Sequence, residues 1–205
     1  MKRLLVIASG ETERRALPAL MRDTLTNIEL LGVRIPPGHR DIARAEVAEA
    51  VIRAAFWQFK GEERAPDKVV VLIDADAAAE QGHHKARELQ ARLEKRLASL
   101  PTKVLVAAAC RHLEAWFFAD AQGLREFLGR ALGNVDPLLP DEIENPKLYL
   151  THLLRPRVYV AAVAGEIARR LSPAEVRRSS SFVAFEAAAR NGGGSTEPNV
   201  GPSSA

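Results

Sequence analysis

The sequence predicts an α/β fold: a mostly parallel sheet flanked by helices, with an all-helical C-terminal extension. Three observations carry this expectation. Four short apolar runs, LLVIA (4–8), IELLGVRI (28–35), KVVVLI (68–73) and KVLVAAA (103–109), alternate with helical patterns. The first, third and fourth runs are nearly continuous in apolar residues, as strands covered on both faces of a parallel sheet are. After Arg111 the strand-like runs stop and only helical patterns follow.

The elements follow in order. After the first strand, Ser9-Gly10 breaks the run, and Glu11 and Glu13 open a helix over 11–26, where first-turn acids favour the helix dipole. Helical patterns also fill roughly 40–57 and roughly 77–99. RHLEAWFFADAQGLREFLGRAL carries apolar residues at helical spacing with a break near Asp120. GNVDPLLPDEIENPK is a Pro-rich acidic connection, and Pro156 separates helices over 147–155 and 157–171. SPAEVRR opens a further helix with a Ser-Pro start. The expected organisation is therefore an α/β domain over 1–120, a helical extension over 121–190 packed on it, and a tail over 191–205 too poor in apolar residues to pack.

Composition narrows the function classes. A chain of 205 residues, 47% hydrophobic and 27% charged, has the profile of a soluble globular protein with a sizeable core. The net charge of +3 does not by itself argue for nucleic acid. Between Asn145 and Arg190, however, eight Lys/Arg stand against three acids, which suits either a solvated helix face or a polyanion-facing surface. Cys110 is the only cysteine, which excludes an intramolecular disulfide and a cysteine zinc site. MKRLLVIASG reads as a strand and not as a signal peptide, and no apolar stretch approaches the length of a membrane span. The expected location is the cytoplasm.

The strongest chemical signal is Asp74 and Asp76, which follow the third apolar run and precede a helix. Spacing of two on an extended chain turns both carboxylates to one side, at the sheet edge where open α/β sheets bind ligands. Two carboxylates so placed repel unless a proton or cation lies between them, and hard divalent cations take oxygen ligands. The structural alternative is that Asp76 caps the following helix and Asp74 lies in a turn. Glu11 and Glu13 would repel a bare phosphate but would serve beside a cation; as plain helix-start residues they need no ligand. Glu114 falls just after the fourth strand, again at the carboxyl edge. The acids thus come from three strand ends. His83 and His84 lie early in the helix after the aspartates and read as surface residues, while His39, His112 and His152 show no partner spacing.

These residues resemble a Toprim domain, the metal-binding α/β fold of topoisomerases, DnaG-type primases and related nucleases, whose signature is a glutamate after the first strand and an Asp-x-Asp after a later one. More narrowly, SGETE (9–13), DAD (74–76), EAWFFAD (114–120), NPK (145–147) and SSSF (179–182) resemble the Toprim-like bacterial family called domain of unknown function 4276. Toprim segments usually read Glu-Gly-x-Thr-Glu, whereas this chain has Ser9-Gly10-Glu11-Thr12-Glu13. Either Glu11 or Glu13 takes the role of the first glutamate, or that half of the site is given up.

The resemblance implies Mg²⁺- or Mn²⁺-dependent phosphodiester hydrolysis on DNA or RNA. Asp74, Asp76 and Glu114 would hold metal, and Glu11 or Glu13 would activate water. Ser9 and Gly10 would lie beside the site. Lys147, Arg155, Arg157, Arg177 and Arg178 would follow a nucleic-acid backbone, and Ser179–Ser181 would either add phosphate contacts or pack with Phe182. Tyr149 and Tyr159, the only tyrosines, both lie in the helical region, which favours hydrolysis over strand passage. Two alternatives stand beside this. One is a catalytically degenerate subunit that binds a protein partner, such as the ABC- or AAA-type ATPases associated with such families in phage defence. The other is a haloacid-dehalogenase-like phosphatase, whose Asp-x-Asp follows the first strand instead of the third.

Overall fold

The computed structural model describes residues 1–33, 35, 41–132 and 139–190. His39, part of the 133–147 connection and the 191–205 tail lie outside the described residues. Four parallel strands, β1 (Lys2–Ala8), β2 (Ile28–Gly32), β3 (Lys68–Asp74) and β4 (Lys103–Ala109), form a sheet of order β2-β1-β3-β4. In register, Ala8 pairs with Leu72, and Asp74 with Ala109. The predicted strand over 28–35 stops at Gly32, and the predicted helix over 11–26 ends as α1 (Glu11–Leu20), followed by turns and a 3₁₀ segment.

Strand alternation builds two cores. Leu5, Ile7, Val69, Val71 and Ile73 face α2 (Ala45–Gly61) and α3 (Ala79–Arg96). Leu4, Val6, Val70 and Leu72 face α1 and the C-terminal helices: α4 (Glu114–Ala119), α5 (Ala121–Leu128), α6 (Pro146–Leu154), α7 (Ala161–Arg170), α8 (Pro173–Val176) and α9 (Ser180–Arg190). The break expected near Asp120 is present: its carboxylate accepts from the Gly123 N–H and opens α5. Among the described residues, no helix is long and apolar enough to cross a membrane.

The helical region is tied to the sheet at three points. Gly165 of α7 lies so close to α1 that a Cβ there would come within 3.1 Å of the Arg15 carbonyl oxygen. Lys68, at the start of β3, donates to the Ala188 and Ala189 carbonyls at 3.0 Å each, placing a cation on the C-terminal end of α9. At the other end of α9, buried Asp141 accepts from Ser179 Oγ at 2.9 Å, Ser181 Oγ at 2.6 Å and the Ser181 N–H at 3.0 Å. Trp116 of α4 in turn donates its indole N–H to Ser181 Oγ at 2.7 Å. The serine run therefore binds an anion, and that anion is the protein's own Asp141. Ser179 and Ser181 are fully buried, which withdraws them as phosphate contacts.

Asp141→Ala leaves several buried donors unpaired, each costing about 1–3 kcal/mol. Urea denaturation is expected to show a loss of about 3 kcal/mol or more. Exposed neighbouring Glu142→Ala should change stability by no more than about 0.5 kcal/mol.

Candidate functional site

The order β2-β1-β3-β4 puts a topological switch point between β1 and β3, the place where open α/β sheets leave a crevice at their carboxyl ends. Glu13, in the first turn of α1 after β1, is only 6% exposed. Its carboxylate folds back over the helix start, and Gly10 makes room: a Cβ at that position would lie 2.5 Å from Glu13 Oε2. That Oε2 is buried without a hydrogen-bond partner. Burial and the negative charge of Asp74 push the Glu13 pKa up to about 7, with Glu114 adding to the rise. Its own backbone N–H and the ammonium of Lys147 pull the other way.

Asp74 ends β3, and Asp76 follows in the left-handed region at φ 48°. Opposite them, Arg111 also adopts a positive φ of 62°, and the two loops are hydrogen-bonded together: the Asp76 N–H reaches the Arg111 carbonyl and the Arg111 N–H reaches the Ala77 carbonyl. Backbone held in such a region costs roughly 1–3 kcal/mol per residue and persists where surrounding structure enforces it. The loop pairing presents His112 to both aspartates, with Nε2 2.9 Å from Asp76 Oδ1 and Nδ1 3.8 Å from Asp74 Oδ2. The Asp74 carboxylate foremost, and Asp76 and Glu114 with it, hold the imidazole pKa above its ordinary value against the opposing effect of burial. Arg111 Nε is buried without a hydrogen-bond partner.

Glu114 starts α4 and is 3% exposed. The Tyr159 hydroxyl donates to its Oε1 at 2.9 Å. Burial, together with the charge of Glu114 and, behind it, Glu13 and Asp74, raises the tyrosine pKa far above its ordinary value, so the phenol remains a donor. Glu13, Asp74 and Glu114 thus form one coupled acidic group drawn from the ends of β1, β3 and β4.

The structure sorts the sequence-predicted residues. Glu13, Asp74 and Glu114 come together, and Asp76 joins Asp74 through His112. Glu11 does not join them. Arg14 Nε at 2.7 Å and Arg15 Nε at 3.0 Å hold its carboxylate on the exposed side of α1, and hydrogen bonding from Arg14 lowers its pKa to about 2. Ser9 and Gly10 line a cavity of about 400 Å³ with Ala8, Glu11, Arg14, Val33 and Ile35. Of the predicted basic residues, exposed Lys147 lies within electrostatic reach of Glu13. Arg157 pairs with Glu166 at 2.6 Å, Arg178 with Glu175 at 2.6 Å, and Arg177 with buried Glu186 at 2.7 Å, while Arg155 is exposed. Cys110 is buried, and that burial pushes its thiol up to about 12, far from a thiolate nucleophile.

His112 and Tyr159 are the site residues that sequence reasoning missed. Position at a strand's carboxyl end was the available signal for His112. For Tyr159 it was a lone aromatic between two valines in a Pro-broken connection.

All donors of the acidic group are oxygens, the type a hard cation takes, and Glu13 Oε2 is an acceptor that lacks a partner. Among the described residues, no three Asp, Glu, His or Cys side chains are drawn closely enough together to hold an ion as they stand.

The model of the family described as Domain of unknown function (DUF4276) matches residues 9–188, and the chain belongs to that family. No curated protein and no solved structure matches it.

Glu13 gives a pH test. Its folded pKa of about 7 lies above its ordinary 4.5, so the folded state holds the proton more tightly and the cost of ionising the buried carboxyl appears as pH rises between those values. In metal-free buffer, Glu13→Gln is expected to gain stability over the wild type by about 3 kcal/mol between pH 4.5 and pH 7.5. Parallel pH–stability curves would contradict this.

Proposed function

We propose that the chain catalyses divalent-metal-dependent hydrolysis of phosphodiesters in nucleic acid, from a Toprim-like site. The observation that carries the reading is the coupled group of Glu13, Asp74 and Glu114 at the switch point, with a buried carboxylate oxygen that lacks a partner. A glutamate after β1 and Asp-x-Asp after β3 support the Toprim-like assignment. Mg²⁺ or Mn²⁺, held by Asp74 and Glu114 with Asp76 beside them, would supply positive charge where a phosphodiester gains negative charge in its transition state.

The remaining roles belong to the chain's own side chains. Glu13, whose pKa of about 7 a bound cation would lower, would stand as the carboxylate that accepts a proton from the attacking water. Exposed Lys147 lies within electrostatic reach of Glu13, where it would meet a nucleic-acid phosphate. Arg155 is likewise exposed. Arg157, Arg177 and Arg178 contribute less, since each already neutralises a carboxylate.

A second reading, a degenerate subunit that binds a protein partner such as an ATPase, is favoured by two features. His112 already places its imidazole between Asp74 and Asp76, and Ser9 stands where the resemblance expects glutamate. Incubation with labelled DNA and RNA in Mg²⁺ or Mn²⁺ separates the readings. Cleavage that stops with EDTA and falls on the order of 100-fold or more in Asp74→Asn is expected. No cleavage of either polymer by the folded wild type would favour the second reading.

A further inference from the structure

We infer that Tyr159 is a positioning residue of the acidic site: its hydroxyl fixes the Glu114 carboxylate so that the second oxygen, Oε2, is presented to a divalent cation. This rests on the cation-dependent reading above and assigns to that site a residue from the helical region.

The connection between α6 and α7 shows why Tyr159 is there. Val158 and Val160 on either side are 73% and 50% exposed, whereas the Tyr159 ring packs against the core beneath the sheet. Alternation along an extended segment sends one side chain inward between two outward ones. Placing both valines in water has no packing benefit, so the segment's apolar logic is inverted in favour of the tyrosine. The inward side chain ends on Glu114 Oε1 at 2.9 Å, and Glu114 itself is almost wholly buried.

A phenol has one proton to donate, and here a site carboxylate receives it. A carboxylate on a free side chain can rotate and offer either oxygen. One held by a donor at Oε1 offers the other in a fixed direction, which is how hydrogen-bonded neighbours orient metal-binding carboxylates. Tyr149 supplies a natural comparison: its hydroxyl donates to the Leu132 carbonyl and its ring stacks on Phe118, with no carboxylate involved.

The test is Mn²⁺ binding to the full chain, followed by the electron paramagnetic resonance signal of free Mn²⁺, for the wild type, Tyr159→Phe and Tyr149→Phe. Tyr159→Phe should weaken binding by roughly 10-fold or more, and Tyr149→Phe should bind as the wild type does. Equal binding by wild type and Tyr159→Phe would overturn this inference alone. No binding by the wild type would overturn the cation reading and this inference with it.

A second measurement needs no substitution at Tyr159. In the chain labelled with 3-fluorotyrosine, two ¹⁹F resonances arise, assigned through Tyr149→Phe. Saturating Mg²⁺ should move the Tyr159 resonance and leave that of Tyr149 in place. A Tyr159 resonance unmoved by Mg²⁺ that the chain has bound would overturn the inference.

Discussion

Glu13 is a carboxyl group taken out of water within electrostatic reach of two others, and an arrangement of that kind does not persist by its own chemistry. Something must hold the helix that carries it against the sheet while the charge is confined. Gly10 leaves the space into which the carboxylate folds, and Gly165 lets α7 close on α1 from behind. The same α1 buries Ala16, Leu17 and Leu20 against the sheet. The acid is thus fixed by apolar packing one and two turns further along its own face of the helix, and the destabilisation it carries is local to the carboxyl edge.

The site also depends on chain segments far apart in sequence. Glu114 is oriented from α4, which is locked by the Trp116 indole donating to Ser181 and by the Asp141 carboxylate seated on the start of α9. Tyr159 and Lys147 approach from the α6–α7 region. The helices that cover one face of the sheet therefore also supply part of its carboxyl edge. A cation entering there would relieve the mutual repulsion of Glu13, Asp74 and Glu114. A proton on Glu13, whose pKa is about 7, does part of that work.

Much of this arrangement was legible in the sequence, for definite physical reasons. A parallel strand buried on both faces must be continuously apolar, so β1, β3 and β4 announced themselves, and Asp74 marked the end of one. Edge strand β2 shares its pattern with polar residues and was drawn too long. The choice between Glu11 and Glu13 had a signal in Arg14 and Arg15, three and four residues after Glu11, the spacing at which helix side chains pair. His112 showed no partner because its partners lie on a different strand end, joined only by the register that sets Asp74 beside Ala109. Tyr159 finds Glu114 across 45 positions of chain, and no periodicity encodes that meeting. The Asp141–serine contact is equally remote, so SSSF read as a phosphate contact or a packing turn with nothing in the sequence to decide between them.

The most direct test of the coupled acidic site is the number of protons released when Mn²⁺ binds. Calorimetric titration at pH 7 in buffers of different ionisation enthalpy measures it, with wild type and Glu13→Gln side by side. A cation that joins this group must displace the proton from Glu13, whose pKa is about 7, so the wild type should release roughly half a proton per ion more than Glu13→Gln does. Binding with the same proton release in both chains would contradict a role for Glu13 in the cation site.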